Sequence, residues 1–303
     1  MLAALALVAS GCGEGGGEDT SVSLGGTPEP SGTLRIAVAD QIRTLDPLLA
    51  DDRAERLASR QVHEPLFSTQ SGPFGGARRR PGLVRSFRSN PGDTIWTAKL
   101  RSRIRFQNGE LLDADAVIAN AERWLALEPG RELLPELFRA DNPRPGLVRF
   151  ILDRPAPHFP RELGSARLGI VAPSAIPALG PLPLSSASSG TGPFEIRERD
   201  GGRTLLARNA DWWGTEVDLG PGVVQIELLE LPDAAQRVDA LISGAVEVAD
   251  RLNDVAARRV ESSPLLDVVG GGGSTIGLER SVRGIESAEA DQPLSDAWLT
   301  DLR

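Results

Sequence analysis

Few residues in this chain have the types and spacing that chemistry requires. Its two histidines, His63 and His158, are far apart, and each lies close to a proline. A zinc site gathers three or four His, Cys or carboxylate ligands, and the sequence shows no such clustering. Serine catalysis on a strand-turn-helix needs a Gly-x-Ser-x-Gly elbow. None occurs, although a Ser-His-Asp set assembled from distant positions stays open. Asp51-Asp52 and Asp113/Asp115 are acidic pairs that could divide acid and base roles. Both stand where helices are expected to begin, and there the positive end of the helix dipole favours carboxylates for structural reasons. Gly270-Gly271-Gly272-Gly273-Ser274 has the glycine density of a phosphate loop. It lacks the Gly-Lys-Ser/Thr ending whose lysine reaches the phosphates, so it reads as a flexible loop. The sequence predicts no catalytic residue, no metal and no cofactor.

The elements that would position a binding surface follow from patterning. Leu34, Ile36 and Val38 alternate with Arg35 and Ala37, the period of a half-buried strand. Asp52 with Glu55 has the form of a capping box, and Leu57, Ala58 and Val62 give the next helix an apolar stripe that Pro65 closes. Thr94–Leu100 and Val148–Leu152 read as strands. Asp113 or Asp115 caps a helix whose stripe is Val117, Ala121, Trp124 and Leu125, with Pro129-Gly130 as its stop. Phe194–Arg199 and Arg203–Arg208 are strands joined by Asp200-Gly201-Gly202, where Gly supplies positive φ and Asp tolerates it. Val223–Leu231 and Val246–Ala249 are strands flanking a helix capped by Asp233 and ended by Gly244. Arg78-Arg79-Arg80 reads as a solvated loop. The alternation of strands and helices predicts a mixed α/β or α+β chain.

Several segments, in a fixed order, resemble one family. Ser189–Gly214, SGTGPFEIRERDGGRTLLARNADWWG, resembles the central signature of the family-5 extracellular solute-binding proteins, the peptide, dipeptide and nickel receptors of ABC importers. Thr33–Asp52 resembles that family's opening strand and Thr-Leu-Asp-Pro turn. Arg80–Phe87 is similar to its Gly-Leu-Ala-x-Ser-Trp segment, with Phe87 at the tryptophan. Leu100–Asn120 is similar to its Leu-Arg, Phe-x-x-Gly and Ala-Asp-x-Val run, and Leu231–Asp250 to the helix and strand beyond the hairpin. The resemblance covers Thr33 to Val269. Gln292–Arg303 begins like a later Pro-x-Ser-Asp helix start and then ceases to match. The implied fold is α/β, periplasmic-binding-protein-like type II and two-lobed, with the second lobe mostly missing, as in a gene fragment.

On this resemblance 1–12 is a lipoprotein signal peptide with its lipobox and 13–32 a flexible tether. Residues 33–60 form the first part of lobe I, 61–165 the family's extra domain, 166–268 the second part of lobe I, and 269–303 the crossover and start of lobe II. Met1–Gly11 is apolar and ends in Ala9-Ser10-Gly11, so Cys12, the single cysteine, reads as a lipidated mature N-terminus. The apolar run is too short to span a bilayer. Gly13–Ser31 holds little to bury and suits a tether. A net charge of −9 argues against nucleic acid, whose phosphates need a basic surface. An aromatic content of 4% with no tyrosine weighs against the aromatic platforms of sugar receptors.

The resemblance implies a monomeric binding protein, lipid-anchored outside the cell membrane, and not an enzyme. It would grip a peptide or similar small solute between lobes, largely through backbone hydrogen bonds, and pass it to an ABC permease and its ATPase. Asp40, Gln41 and Ile42, just past the first strand, would face the cleft, or else form a solvated corner. Thr191, Gly192 and Pro193 would line the cleft floor, or else merely set the hairpin's geometry. Asp46 and Pro47 would stiffen their turn, and Trp212 and Trp213 would pack at the lobe's edge. Two readings from other classes remain: a non-transporting lipoprotein remnant acting as an interaction module, and a secreted hydrolase on an unrelated α/β scaffold.

Overall fold

The computed structural model describes residues 32–71, 77–80, 82–177, 189–214, 222–271 and 274–279. The expectations for the signal peptide, Cys12, the tether and Gln292–Arg303 lie outside these residues. In chain order the elements are β1 (Thr33–Val38), α1 (Arg53–Val62), β2 (Ser68–Ser71), β3 (Ala77–Arg80), β4 (Val84–Ser89), β5 (Ile95–Leu100), α2 (Ala114–Ala126), α3 (Glu128–Leu133), β6 (Leu137–Arg144), β7 (Leu147–Leu152), α4 (Phe159–Glu162), β8 (Phe194–Asp200), β9 (Arg203–Arg208), β10 (Gln225–Glu230), α5 (Ala234–Ile242), β11 (Val248–Ala249), α6 (Asp254–Glu261), β12 (Leu266–Gly271) and β13 (Ser274–Glu279). Among the described residues no helix is long and apolar enough to cross a membrane.

A seven-stranded sheet has the order β12-β13-β11-β1-β10-β9-β8. β1 runs parallel to β10, with Thr33 opposite Gln225 and Val38 opposite Glu230, and parallel to β11 on its other side. The alternation in β1 decides what packs on each face. Leu34, Ile36 and Val38 join Leu57, Ala58 and Val62 of α1 and Phe194 and Leu206 of the hairpin in one buried cluster. Ala37 faces the other way, into a cluster with Val238 and Leu241 of α5 and Val260 of α6. Its single methyl lets those helices approach closely, giving three layers. The β8–β9 turn has the expected form, with Gly201 at φ 51° and Gly202 at φ 85°.

A four-stranded antiparallel sheet, β4-β5-β7-β6, is covered by α2. Asp113 caps α2 by accepting from the Ala116 N–H, and Trp124 is buried in that core. Two polar contacts fasten this unit to the first sheet's connections. Arg123 pairs with Asp46 at 2.5 Å, both buried, and Asn120 exchanges hydrogen bonds with the backbone of Val171.

Three local expectations need correction. α2 stops at Ala126, not at Pro129-Gly130. Pro129 sits in the first turn of α3, where its missing N–H costs nothing. Arg78–Arg80 belong to a two-stranded ladder with β2 rather than a loop. Gly270, Gly271 and Ser274 lie on β12 and β13, paired across the strands rather than in a loop; Gly272 and Gly273 lie outside the described residues.

The Gly-Thr-Gly-Pro turn before β8 is tight because the end of α1 rests on it. A Cβ on Gly192 would stand 2.4 Å from the Gln61 carbonyl oxygen, and one on Gly190 1.8 Å from that of Val62. Gly192→Ala is therefore expected to lower unfolding free energy in urea by at least ~2 kcal/mol. Gly92→Ala, whose Cβ meets nothing nearer than 3.9 Å, should change it little. Equal effects would contradict this packing.

Candidate functional site

Because β1, β10 and β11 are parallel, their carboxyl ends meet at one edge of the large sheet. In open α/β sheets that edge is where ligands bind. Three connections emerge there: Ala39–Arg43 after β1, Leu231–Asp233 after β10, and Asp250–Asn253 after β11. α5 carries the chain from β10 to β11 and supplies Arg237, whose guanidinium ties the connections together. It donates to the carbonyls of Leu231 (2.5 Å), Pro232 (2.8 Å), Asp250 (2.7 Å) and Arg251 (2.7 Å). Burial, partly offset by Asp250, lowers its pKa from the ordinary arginine value. Beneath it Arg53 of α1 pairs with Asp250 at 3.3 Å, both buried. Burial pushes the Asp250 carboxyl up, with Arg53 opposing; the attraction keeps the pair together because neither ion can reach water.

Outside this buried layer stand polar groups that a ligand could reach. Asp40 pairs with Arg251 at 2.5 Å, and both side chains keep partial exposure. Arg251 holds φ 50°, a backbone that only a firmly fixed connection imposes on a non-glycine residue. Gln41 is exposed. Ile42 differs from its neighbours: its side chain is fully buried in the α1 cluster, and its N–H donates to Glu230 at 3.0 Å. It anchors the connection and presents no side chain to the edge.

The structure does not bring Thr191, Gly192 and Pro193 to the same place. β8 runs parallel to β10 through the β9 ladder, so its first residue, Phe194, lies at the sheet's amino end, opposite Arg208. Thr191 is buried and donates to Glu64 Oε2 at 2.8 Å. The indole N–H groups of Trp213 (2.8 Å) and Trp212 (3.3 Å) converge on the same oxygen. Thr191, both tryptophans and the end of α1 thus share one carboxyl, which patterning did not single out. Burial pushes Glu64 up to about 7, against the three donors. The adjacent His63 is also buried, and burial lowers it to about 4. It lies 3.4 Å from both Ser59 Oγ and Ser189 Oγ. All three of these residues are buried, which gives a substrate no access to that serine–histidine contact. A cavity of about 470 Å3 opens on the other sheet beside Arg101, Asp113 and Arg144, away from the carboxyl edge.

Residues 79–297 match the family model of bacterial extracellular solute-binding proteins, family 5, middle region. The chain belongs to this family. Among curated relatives, this family-5 chain is 25% identical over 232 residues to the probable D,D-dipeptide-binding periplasmic protein DdpA of Escherichia coli K12, a match covering 74% of the chain and 44% of the relative. It is 26% identical over 166 residues to the glutathione-binding protein GsiB of the same strain, covering 53% and 31%. It thus spans less than half the length of either. Among solved structures, NikA of Brucella suis, in complex with Fe(III)-EDTA, superposes with a TM-score of 0.68 at 25% identity, covering 79% of this chain and 48% of that one. DppA of Helicobacter pylori, in complex with the peptide STSA, gives a TM-score of 0.68 at 20% identity, covering 79% and 50%. The fold is that of the type II periplasmic binding proteins.

Glu64 and His63 should have opposite effects on stability. Glu64 is raised in the folded state, so its contribution is complete below its ordinary pKa of 4.5 and is lost as pH rises through about 7. His63 is depressed, so its contribution is complete above 6.5 and is lost as pH falls through about 4. Between pH 4.5 and 6.5 the slopes cancel. Glu64→Gln should expose the histidine slope, with unfolding free energy climbing by about 1.4 kcal/mol per pH unit across that window, while the parent stays flatter. Parallel urea-unfolding profiles for the two would refute the pairing.

Proposed function

We propose that this chain is the substrate-binding component of an ABC importer, capturing peptides or similar small solutes outside the membrane and delivering them to the permease and its ATPase. Family membership supports the class of function. The dipeptide-, glutathione- and peptide-binding names and contents of the relatives support the substrate class. The observation that carries the reading is the meeting of Asp40, Gln41 and Arg251 at the carboxyl edge, on connections fixed from behind by Arg237.

In this reading the ligand lies against Ala39–Gln41 and Asp250–Arg251. The exposed Gln41 amide supplies a donor and an acceptor. The Asp40–Arg251 pair opens to meet the peptide's own charges, at small cost because a partly exposed pair contributes little. A second lobe closes over the ligand, and the closed state prevails because only it makes contacts from both sides. Thr191, Gly192 and Pro193 act through the packing of their hairpin. Cys12 carries the lipid that holds a monomer at the membrane, after a signal peptide at 1–12 and a tether at 13–32; two acyl signals give stable anchoring.

Peptide titration followed by heteronuclear NMR, which reads weak as well as tight binding, tests the site. Dipeptides to tetrapeptides should shift the Gln41 side-chain amide and the Arg251 resonances. Gln41→Ala and Arg251→Ala should each weaken binding about tenfold, the value of one charged or well-placed hydrogen bond, without changing unfolding in urea. Unaltered affinity in both variants, or shifts confined to the cavity near Arg101 and Arg144, would defeat the proposal.

A further inference from the structure

The second sheet and its helices bring together three side chains that solute capture does not use. Glu136 directly precedes β6, His158 follows β7, and Glu162 closes α4. His158 Nε2 lies 3.2 Å from Glu162 Oε1 and 4.0 Å from Glu136 Oε1. One potential ligand atom from each of the three falls within 4.8 Å of the others. Around a divalent ion with bonds of about 2.1 Å, tetrahedral ligands stand roughly 3.4 Å apart. The group is therefore close to a coordinating arrangement without backbone movement.

A second observation sets this cluster apart from an ordinary surface group of acids. Glu136 is only 7% exposed, and its Oε2 is enclosed with no hydrogen-bond partner; Glu162 Oε2 is likewise enclosed and without one. Buried carboxylate oxygens left unpaired are unfavourable, and here both belong to carboxylates whose other oxygen, Oε1, lies nearest the His158 imidazole. Arg154 donates to Glu136 Oε1 at 2.9 Å, fixing that carboxylate's orientation in the way that supporting hydrogen bonds orient metal ligands. His158 is exposed, which leaves an approach from solvent.

We propose that Glu136, His158 and Glu162 form a binding site for a borderline divalent cation such as Zn2+, with His158 Nε2 and one oxygen from each carboxylate as ligands and water on the open side. The imidazole selects such ions over Mg2+ and Ca2+, which prefer all-oxygen surroundings. The ion would clamp the start of β6 to α4, and so steady the second sheet. Sequence spacing concealed the site because Glu136 sits on the far side of the β6–β7 hairpin from the His158–Glu162 pair.

Calorimetric titration and thermal unfolding of the whole chain with ZnCl2 and with MgCl2 provide the test. Zinc should bind at one ion per chain and raise Tm by several degrees, and magnesium should do neither. His158→Ala and Glu162→Gln, both at solvent-accessible positions and checked for folding by circular dichroism, should each weaken zinc binding at least about tenfold. Cys12→Ser should leave it unchanged, which excludes the thiol as the ligand. Failure of zinc to bind or to raise Tm, an undiminished response in folded His158→Ala, or its loss in Cys12→Ser would overturn the site.

Discussion

The structure depends above all on the parallel seating of β1 between β10 and β11. Strands β8, β9 and β10 form one antiparallel ladder, and β11, β13 and β12 another. β1 is the strand that joins them, pairing along all six residues with β10 and at Ile36 and Ala37 with β11. Its partners come from about two hundred residues later in the chain. The entropy of closing so long a loop grows only logarithmically with its length, so the burial of Leu34, Ile36 and Val38 on one face and Ala37 on the other can hold it. Without that strand the sheet divides into two three-stranded pieces, and the carboxyl edge no longer exists.

The proposed binding edge carries its charges in two layers. The inner layer is enclosed, Arg237 held by hydrogen bonds to four carbonyls and Arg53 by its opposite charge to Asp250. Removing one partner there would leave an uncompensated buried charge. The outer layer, Asp40, Gln41 and Arg251, keeps access to water, and its interactions can be exchanged for those of a ligand. A rigid inner layer beneath exchangeable outer groups is what solute capture without covalent chemistry requires.

Much of this was legible in the residues. The alternation in β1, the Asp52–Glu55 box and the Asp-Gly-Gly turn each depend on local chemistry, and local chemistry is what a sequence displays. β6 was not legible, because as the edge strand of its sheet it buries little beyond Leu137 and Ala140 and carries two register irregularities. α6 escaped notice because its inward stripe is mostly small, Ala256 and Ala257 with Val260. Asp40 and Gln41 came from resemblance, whereas Arg237 and Arg251 did not, since their partners are backbone carbonyls or lie some two hundred residues away. The Gly-Thr-Gly-Pro turn, readable either as cleft floor or as hairpin geometry, has its packing role in view. Its small residues are demanded by the close approach of α1 and by the Glu64 contact, so a strong local signature reflected packing at the opposite end of the sheet.

The central claim is that ligand contacts the carboxyl edge, and site-specific photo-crosslinking tests it most directly. A photoreactive phenylalanine analogue at position 41 and, separately, at position 102 beside the cavity of the other sheet would be irradiated with a bound peptide mixture. Peptide adducts at 41 and none at 102 are the expected result. Adducts at 102 with none at 41 would contradict it.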